Sequence, residues 1–273
     1  MQANLLALGA IGLWATLATL GVSLSHVPPF LLTGIALVVG SLPAWPLARQ
    51  WRVPAPTLAL GVYGLFGFHF LLFIALRHAP PVQANLVNYL WPLLIVLLAP
   101  LLLPGLRLRP VHVVAALAGF AGAAIAIAGG RALDAAFAWG YVPAAGSAFI
   151  WASYSLWTQR VPAFPTAAIG GFALVSGLLA LLCHWLLEPA AALQGRDWLL
   201  IAAMGLGPLG AAFFLWDAAL KRGDARSIGL LSFLTPLLST LLLLAVRGER
   251  PSPTVVLAAL LIVGAAIVGT RAR

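Results

Sequence analysis

The sequence predicts an all-α integral membrane protein, with ten transmembrane helices arranged as two inverted five-helix repeats. Three observations predict it. The 273-residue chain is 63% hydrophobic and 8% charged, where a soluble domain carries about 25% charged residues. Apolar runs of about 20 residues recur from end to end, the length that carries a helix across the hydrocarbon. Third, ALRHAPPVQANLVNYLWPLL at 75–94 returns as ALKRGDARSIGLLSFLTPLL at 219–238, 144 positions later, with seven identities that include Pro92/Pro236. Five apolar segments separate the copies. Five is odd, so the copies cross in opposite directions. Inverted repeats with prolines inside the spans are a common build of secondary transporters.

The runs lie near 4–24, 30–48, 57–76, 82–103, 111–129, 138–158, 166–187, 198–220, 226–246 and 253–270. The first has no basic stretch before it and no A-x-A site after it, and reads as a retained span, not a cleaved leader. Its IGLWAT (Ile11–Thr16) matches FIWASY (Phe149–Tyr154) of the sixth run and pairs Trp14 with Trp151. In the third run, Gly61, Gly64 and Gly67 suit close helix packing, as do Gly119 and Gly122 in the fifth. The linkers are short and rich in Pro, Gly and Arg, with no room for a soluble domain. The halves divide near Gly130–Ala138, as 1–130 and 131–273.

Lys and Arg number ten on the side of the N-terminus and five on the other. That bias places both termini in the cytoplasm. The net charge of +9 therefore reflects orientation, and no nucleic-acid partner is expected. The single cysteine, Cys183, cannot form an intramolecular disulfide. No metal site or cofactor is indicated. HExxH, GxSxG and GxxxxGK[ST] are all missing from the sequence, so an enzyme is not expected. A membrane enzyme or lipid-handling protein is the rival class, and it would need a clustered catalytic set.

Candidate functional residues follow from helical spacing at about 100° per residue. Asn85, Asn88, Tyr89 and Pro92 share one face of the fourth run, and two carboxamides facing lipid would be costly. Trp91 falls off that arc unless a kink at Pro92 swings it back. In the ninth run Ser232 stands where Asn88 does in the fourth, and Pro236 where Pro92 does. Ser147, Trp151, Tyr154, Ser155 and Thr158 form a stripe in the sixth run, and two aromatics framed by hydroxyls suit a wet cavity wall. Tyr63, Phe66, His69, Phe70 and Phe73 form a stripe in the third, which could equally be packing. His69 is an ionisable group at membrane depth and a functional candidate; its repeat partner is Phe213. Asp217 is the one acid inside a span, either for proton coupling or as an i,i+4 ion pair with Lys221.

The expected substrate-binding set is thus Trp14, His69, Asn85, Asn88, Tyr89, Trp91, Trp151, Tyr154, Phe213 and Ser232. Pro92 and Pro236 are the expected kinks, and His69 and Asp217 the proton-coupling candidates. Such walls suit a small amphipathic or zwitterionic solute moved by alternating access. A cationic-drug or quaternary-amine exporter is the alternative within transporters. Beyond substrate and lipid bilayer no partner is required, and a monomer is compatible with the pattern.

On ALKRGDARSIGLLSFLTPLLSTLLLLAVRGERPS in the second half, ALRHAPPVQANLVNYLWPLL in the first, and the WAT and WASY segments, the whole chain resembles EamA-type transporters of the drug/metabolite transporter superfamily. NYLWP looks most like bacterial aromatic amino-acid exporters. The resemblance implies a ten-helix, basket-like bundle in the bacterial inner membrane that exports amino acids or small metabolites. It also implies a central cavity lined by the prolines and aromatics of the fourth and ninth runs. One departure stands out: the second half has the GER turn (Gly248–Arg250), where the first has PGLRLRP.

Overall fold

The computed structural model describes residues 2–129 and 136–271. The expected boundary between 130 and 131 lies outside the described residues. Among those described, every regular element is helical and none is a strand. The first run is α1 (Gln2–Ala15) and α2 (Leu17–Ser23), which part at Thr16. The second is α3 (Pro29–Ser41), extended by a 3₁₀ segment, Leu42–Trp51, that carries two prolines. The third is α4 (Ala55–Val62), one π-helical turn (Tyr63–Gly67) and α5 (Phe68–His78). The fourth divides into α6 (Pro81–Asn88) and α7 (Trp91–Leu102), and the fifth is α8 (Pro110–Ala128).

The second half repeats two of these irregularities, the π turn and the break before a proline. It contains α9 (Tyr141–Trp157), α10 (Ala168–Leu187) and α11 (Gly195–Leu206), then a π-helical turn (Gly207–Ala211) that leads into α12 (Ala212–Leu220). It ends with α13 (Ala225–Leu231), α14 (Leu234–Arg247) and α15 (Pro253–Arg271). The two π turns start 144 residues apart, the offset of the sequence repeat. The α6/α7 and α13/α14 breaks match that offset within one residue. Each break precedes a proline that cannot donate the next helical bond: Pro92 is second in α7 and Pro236 third in α14.

Nine helical stretches among the described residues are long and apolar enough to cross a membrane. The expected sixth span appears as α9, with 17 residues. It is the most sheltered long helix, with eleven of its residues buried, Ser147, Ser153 and Ser155 among them. Large apolar side chains such as Leu101, Leu199, Leu257 and Leu260 stand exposed along the outside. In water such a surface would drive association, whereas lipid solvates it. The chain is a multi-pass membrane protein.

Lipid supplies no hydrophobic drive between helices, so they associate by close packing. One close approach is α3 against the end of α11 and the second π turn. A methyl group on Gly40 would lie 2.7 Å from the carbonyl oxygens of both Gly205 and Leu209. Two long pairs, α3 with α10 and α8 with α15, flank a centre in which α1 packs on α12 and α14, while α9 packs on α5, α6 and α7. Within that centre α7 meets α13. The apolar core follows this arrangement: one cluster around Trp14, Trp151 and Trp216, and a second between α8, α14 and α15.

Candidate functional site

A cavity of about 460 Å³ lies at the centre of the bundle. It extends toward Gly21, Pro29 and Leu76, the end of the first spans remote from Gln2. Three tryptophans of its lining, Trp14, Trp91 and Trp151, cluster with a fourth, Trp216, which is buried behind them. All six pairs among the four are in ring contact, at centroid separations of 5.2–6.4 Å. Each such pair adds about 0.5–1.5 kcal/mol beyond the area it buries, so this cluster is rigid. Trp14 and Trp216 donate their indole N–H groups to Pro208 O at 3.0 Å and Ser155 Oγ at 3.1 Å. Those of Trp91 and Trp151 meet no acceptor among the described residues.

The polar wall comes from the α6/α7 break. Asn85 and Asn88 are the inward face of α6. The turn at Tyr89–Leu90 then starts a new helix at Trp91, which brings that ring onto the same cavity as Asn88 and Tyr89. On one unbroken helix it would point elsewhere. Asn88 is buried, and Ser147 Oγ of α9 lies 2.8 Å from its Oδ1 and 2.8 Å from Ala144 O. On the same cavity, His69 Nδ1–H donates to Leu65 O at 2.6 Å, which leaves Nε2 as an acceptor on the neutral ring. Phe68, Phe73 and Phe213 surround that imidazole at 5.1–6.4 Å. Among the described residues, no Asp, Glu, Lys or Arg lines the cavity.

Eight of the ten residues expected to bind substrate line this one cavity: Trp14, His69, Asn85, Asn88, Tyr89, Trp91, Trp151 and Phe213. Tyr154 and Ser232 stand behind it. Tyr154 packs on Trp151 at 5.3 Å and fills the space that the missing side chain of Gly64 leaves at the first π turn. Ser232 Oγ, fully buried, donates back to Ile228 O at 2.8 Å. Asp217 is also outside the cavity. Its Oδ2 accepts from Lys221 Nζ and Thr166 Oγ1, each at 2.6 Å, while Oδ1 is buried without a partner.

Sequence reasoning missed Met204, Leu209 and Thr33 on the wall and Trp216 behind it, whereas Thr235 and Ser239 belong to the hydroxyl-bearing ninth run that the repeat had already pointed to. Trp216 had a signal, since it sits one turn from Phe213 on a helix already suspected. Thr33, Met204 and Leu209 had none, because they are ordinary residues of apolar spans. Thr235 lines the cavity with a buried hydroxyl that has no hydrogen-bond partner.

At the opposite end of the spans, two arginines make polar contacts with the backbone at and after the end of α7. Arg160 Nη1 donates to Leu102 O at 3.0 Å, and Arg226 Nη1 donates to Arg107 O at 2.5 Å. Burial pushes the Asp224 carboxyl up, but hydrogen bonds from the Arg226 side chain and backbone outweigh it and hold the group below the usual carboxylate range.

A ring-lined cavity among membrane helices, extending toward one end of the spans, is the kind of space a membrane transporter needs. The chain belongs to the EamA-like transporter family, whose pattern matches residues 1–128 and again residues 138–270. It is a transporter and not an enzyme. It is 45% identical to an aromatic amino acid exporter, YddG, of Ancylobacter novellus, over 98% of this chain and 97% of that one. It is 28% identical to the aromatic amino acid exporter YddG of Salmonella typhimurium, over 88% and 87% of the two chains. A protein of known crystal structure, 45% identical, superposes with a TM-score of 0.90 over 98% of this chain and 97% of its own.

Proposed function

We propose that this chain exports amino acids with aromatic side chains across the bacterial inner membrane, by alternating access around the central cavity. The observation that carries the reading is the lining: aromatic rings and uncharged polar groups around one space, with no fixed charge. Its volume falls within the roughly 300–1,000 Å³ of small-molecule pockets. Rings against rings suit an aromatic side chain, and the amides, hydroxyls and indole N–H groups suit the zwitterionic end. The named activity of two relatives points the same way.

Alternating access here requires two inverted halves, 1–130 and 131–273, with α9 as the tenth span. The support is symmetry. Exchanging the halves turns the α1–α12 contact into α9–α5 and the α7–α9 contact into α14–α1, and all four are present. Repeat partners also touch: His69 meets Phe213 at 6.4 Å and Trp14 meets Trp151 at 5.7 Å. Equivalent residues meet in this way only near a two-fold axis. The Lys/Arg bias puts both termini in the cytoplasm, so the cavity faces outward and the Arg160 and Arg226 contacts close the inner end.

The test is export of labelled phenylalanine, tyrosine and tryptophan from proteoliposomes, beside alanine and a quaternary amine. The expected outcome is saturable movement of the three aromatic amino acids. Movement of the quaternary amine alone contradicts the reading. Adding a pH gradient, in the chain as it stands and in His69→Asn and Asp217→Asn, tests coupling. Flux that ignores the gradient assigns the protein to facilitated movement.

A further inference from the structure

Ser147 has one hydroxyl proton and two acceptors competing for it. Its Oγ lies 2.8 Å from Ala144 O, which can only accept, and 2.8 Å from the Asn88 amide atom placed as Oδ1. One proton cannot satisfy both. The two ends of a carboxamide have the same shape, and which is oxygen is decided by the network around them. Turning the Asn88 amide by half a revolution resolves the conflict: Nδ2–H donates to Ser147 Oγ, and Oγ–H donates to Ala144 O. Every proton then has its own acceptor. The consequence falls on the other end of the amide, because Asn88 Oδ1 now faces the cavity.

His69 carries the same sign. Its Nδ1–H is held by Leu65 O, and no carboxylate lines the cavity to stabilise a protonated ring. Nε2 therefore offers a lone pair. Two oriented acceptors and the π faces of Trp91 and Trp151 favour a cation at this wall. A carboxylate meets only neutral donors, with no Lys or Arg among the lining residues.

We infer that the cavity grips its substrate by the ammonium group, through Asn88 Oδ1 and His69 Nε2, and that aromatic primary amines without a carboxylate are therefore also ligands. This rests on the central cavity being the site of an amino-acid exporter. Ser147 is the positioning residue that fixes the direction of the Asn88 amide.

The test is titration of the purified full-length protein in detergent at neutral pH, read by intrinsic tryptophan fluorescence. The ligands are L-phenylalanine, 2-phenylethylamine (ammonium only) and 3-phenyllactate (carboxylate, with a hydroxyl in place of the ammonium). Phenylethylamine is expected to bind within about threefold of phenylalanine, and phenyllactate at least about tenfold more weakly, the worth of a hydrogen bond to a charged group. If phenyllactate matches phenylalanine while the amine fails, the inference falls and the exporter reading stands. If the amine binds and phenylalanine does not, the exporter reading falls and the inference, which rests on it, falls with it. Equal binding of all three leaves recognition to the ring and overturns the inference, and binding of none overturns both. Ser147→Ala frees the amide to turn and is expected to weaken the amine about three- to tenfold without weakening phenyllactate, while Ser147→Thr keeps the wild-type order. Should Ser147→Ala fail to fold, the wild-type ligand ranking decides.

Discussion

The two helix breaks share a backbone design and differ in what they face. At the first, Asn88, Tyr89 and Trp91 line the cavity. At the second, Ser232 turns back on its own helix and Phe233 is fully buried against Gly119, where a methyl group would collide with its ring. From the second break Thr235, the partner of Trp91, and one turn further Ser239 bring hydroxyls to the cavity. A proline-linked break is thus a scaffold kept in both copies, while the carboxamides stand in one. Ser232 can leave the wall without cost because a serine hydroxyl satisfies itself on a carbonyl one turn back. An asparagine amide cannot, and Asn88 needs α9 or the cavity.

The largest expected effect breaks this comparison open. Asn88→Leu should lower transport at least about tenfold at unchanged folding, given what a hydrogen bond to a charged group contributes, while Ser232→Ala stays within about twofold. Transport per folded molecule in proteoliposomes reads both, and equal losses would erase the difference between the breaks. Next in size is Gly119→Ala, which overpacks Phe233 and should cost about 1–3 kcal/mol of stability. A lowered Tm with transport per folded molecule preserved would assign the second break to packing. Phe233→Tyr buries a hydroxyl in an apolar cluster and should cost a similar or smaller amount, about 1–3 kcal/mol, whereas Tyr89→Phe should leave Tm unchanged and raise KM a few-fold. The smallest effect is Thr235→Val. Its hydroxyl has no protein partner, so stability should hold or rise slightly and only KM should move.

Much of this was legible in the sequence because lipid leaves few options. Span positions follow from hydropathy, and the matched prolines Pro92 and Pro236 pointed to both breaks, whereas the π turns had no signal of their own and only their recurrence follows the 144-residue offset. The face carrying Asn85, Asn88 and Tyr89 followed from helical geometry and the expense of amides in hydrocarbon. Trp91 needed the break itself, since a regular helix turns it away. Tyr154 packs behind the wall because an aromatic facing the centre either lines space or fills it, and the absent side chain of Gly64 decides which. Asp217 was left between two readings, and contact with Lys221 and Thr166 makes it part of an ion pair outside the cavity. Thr33, Met204 and Leu209 were invisible, since nothing in their type separates a wall residue from a lipid-facing or core one.

The central claim is that substrate occupies the cavity beside the first break. Its most direct measurement is single-cysteine labelling in a Cys183→Ala background, with a membrane-impermeant thiol reagent applied from outside to Asn85→Cys and to Ser232→Cys. The account predicts that Asn85→Cys is labelled and that saturating phenylalanine slows its labelling several-fold, while Ser232→Cys stays unlabelled. Labelling of Asn85→Cys that phenylalanine leaves unchanged, or ready labelling of Ser232→Cys, contradicts it.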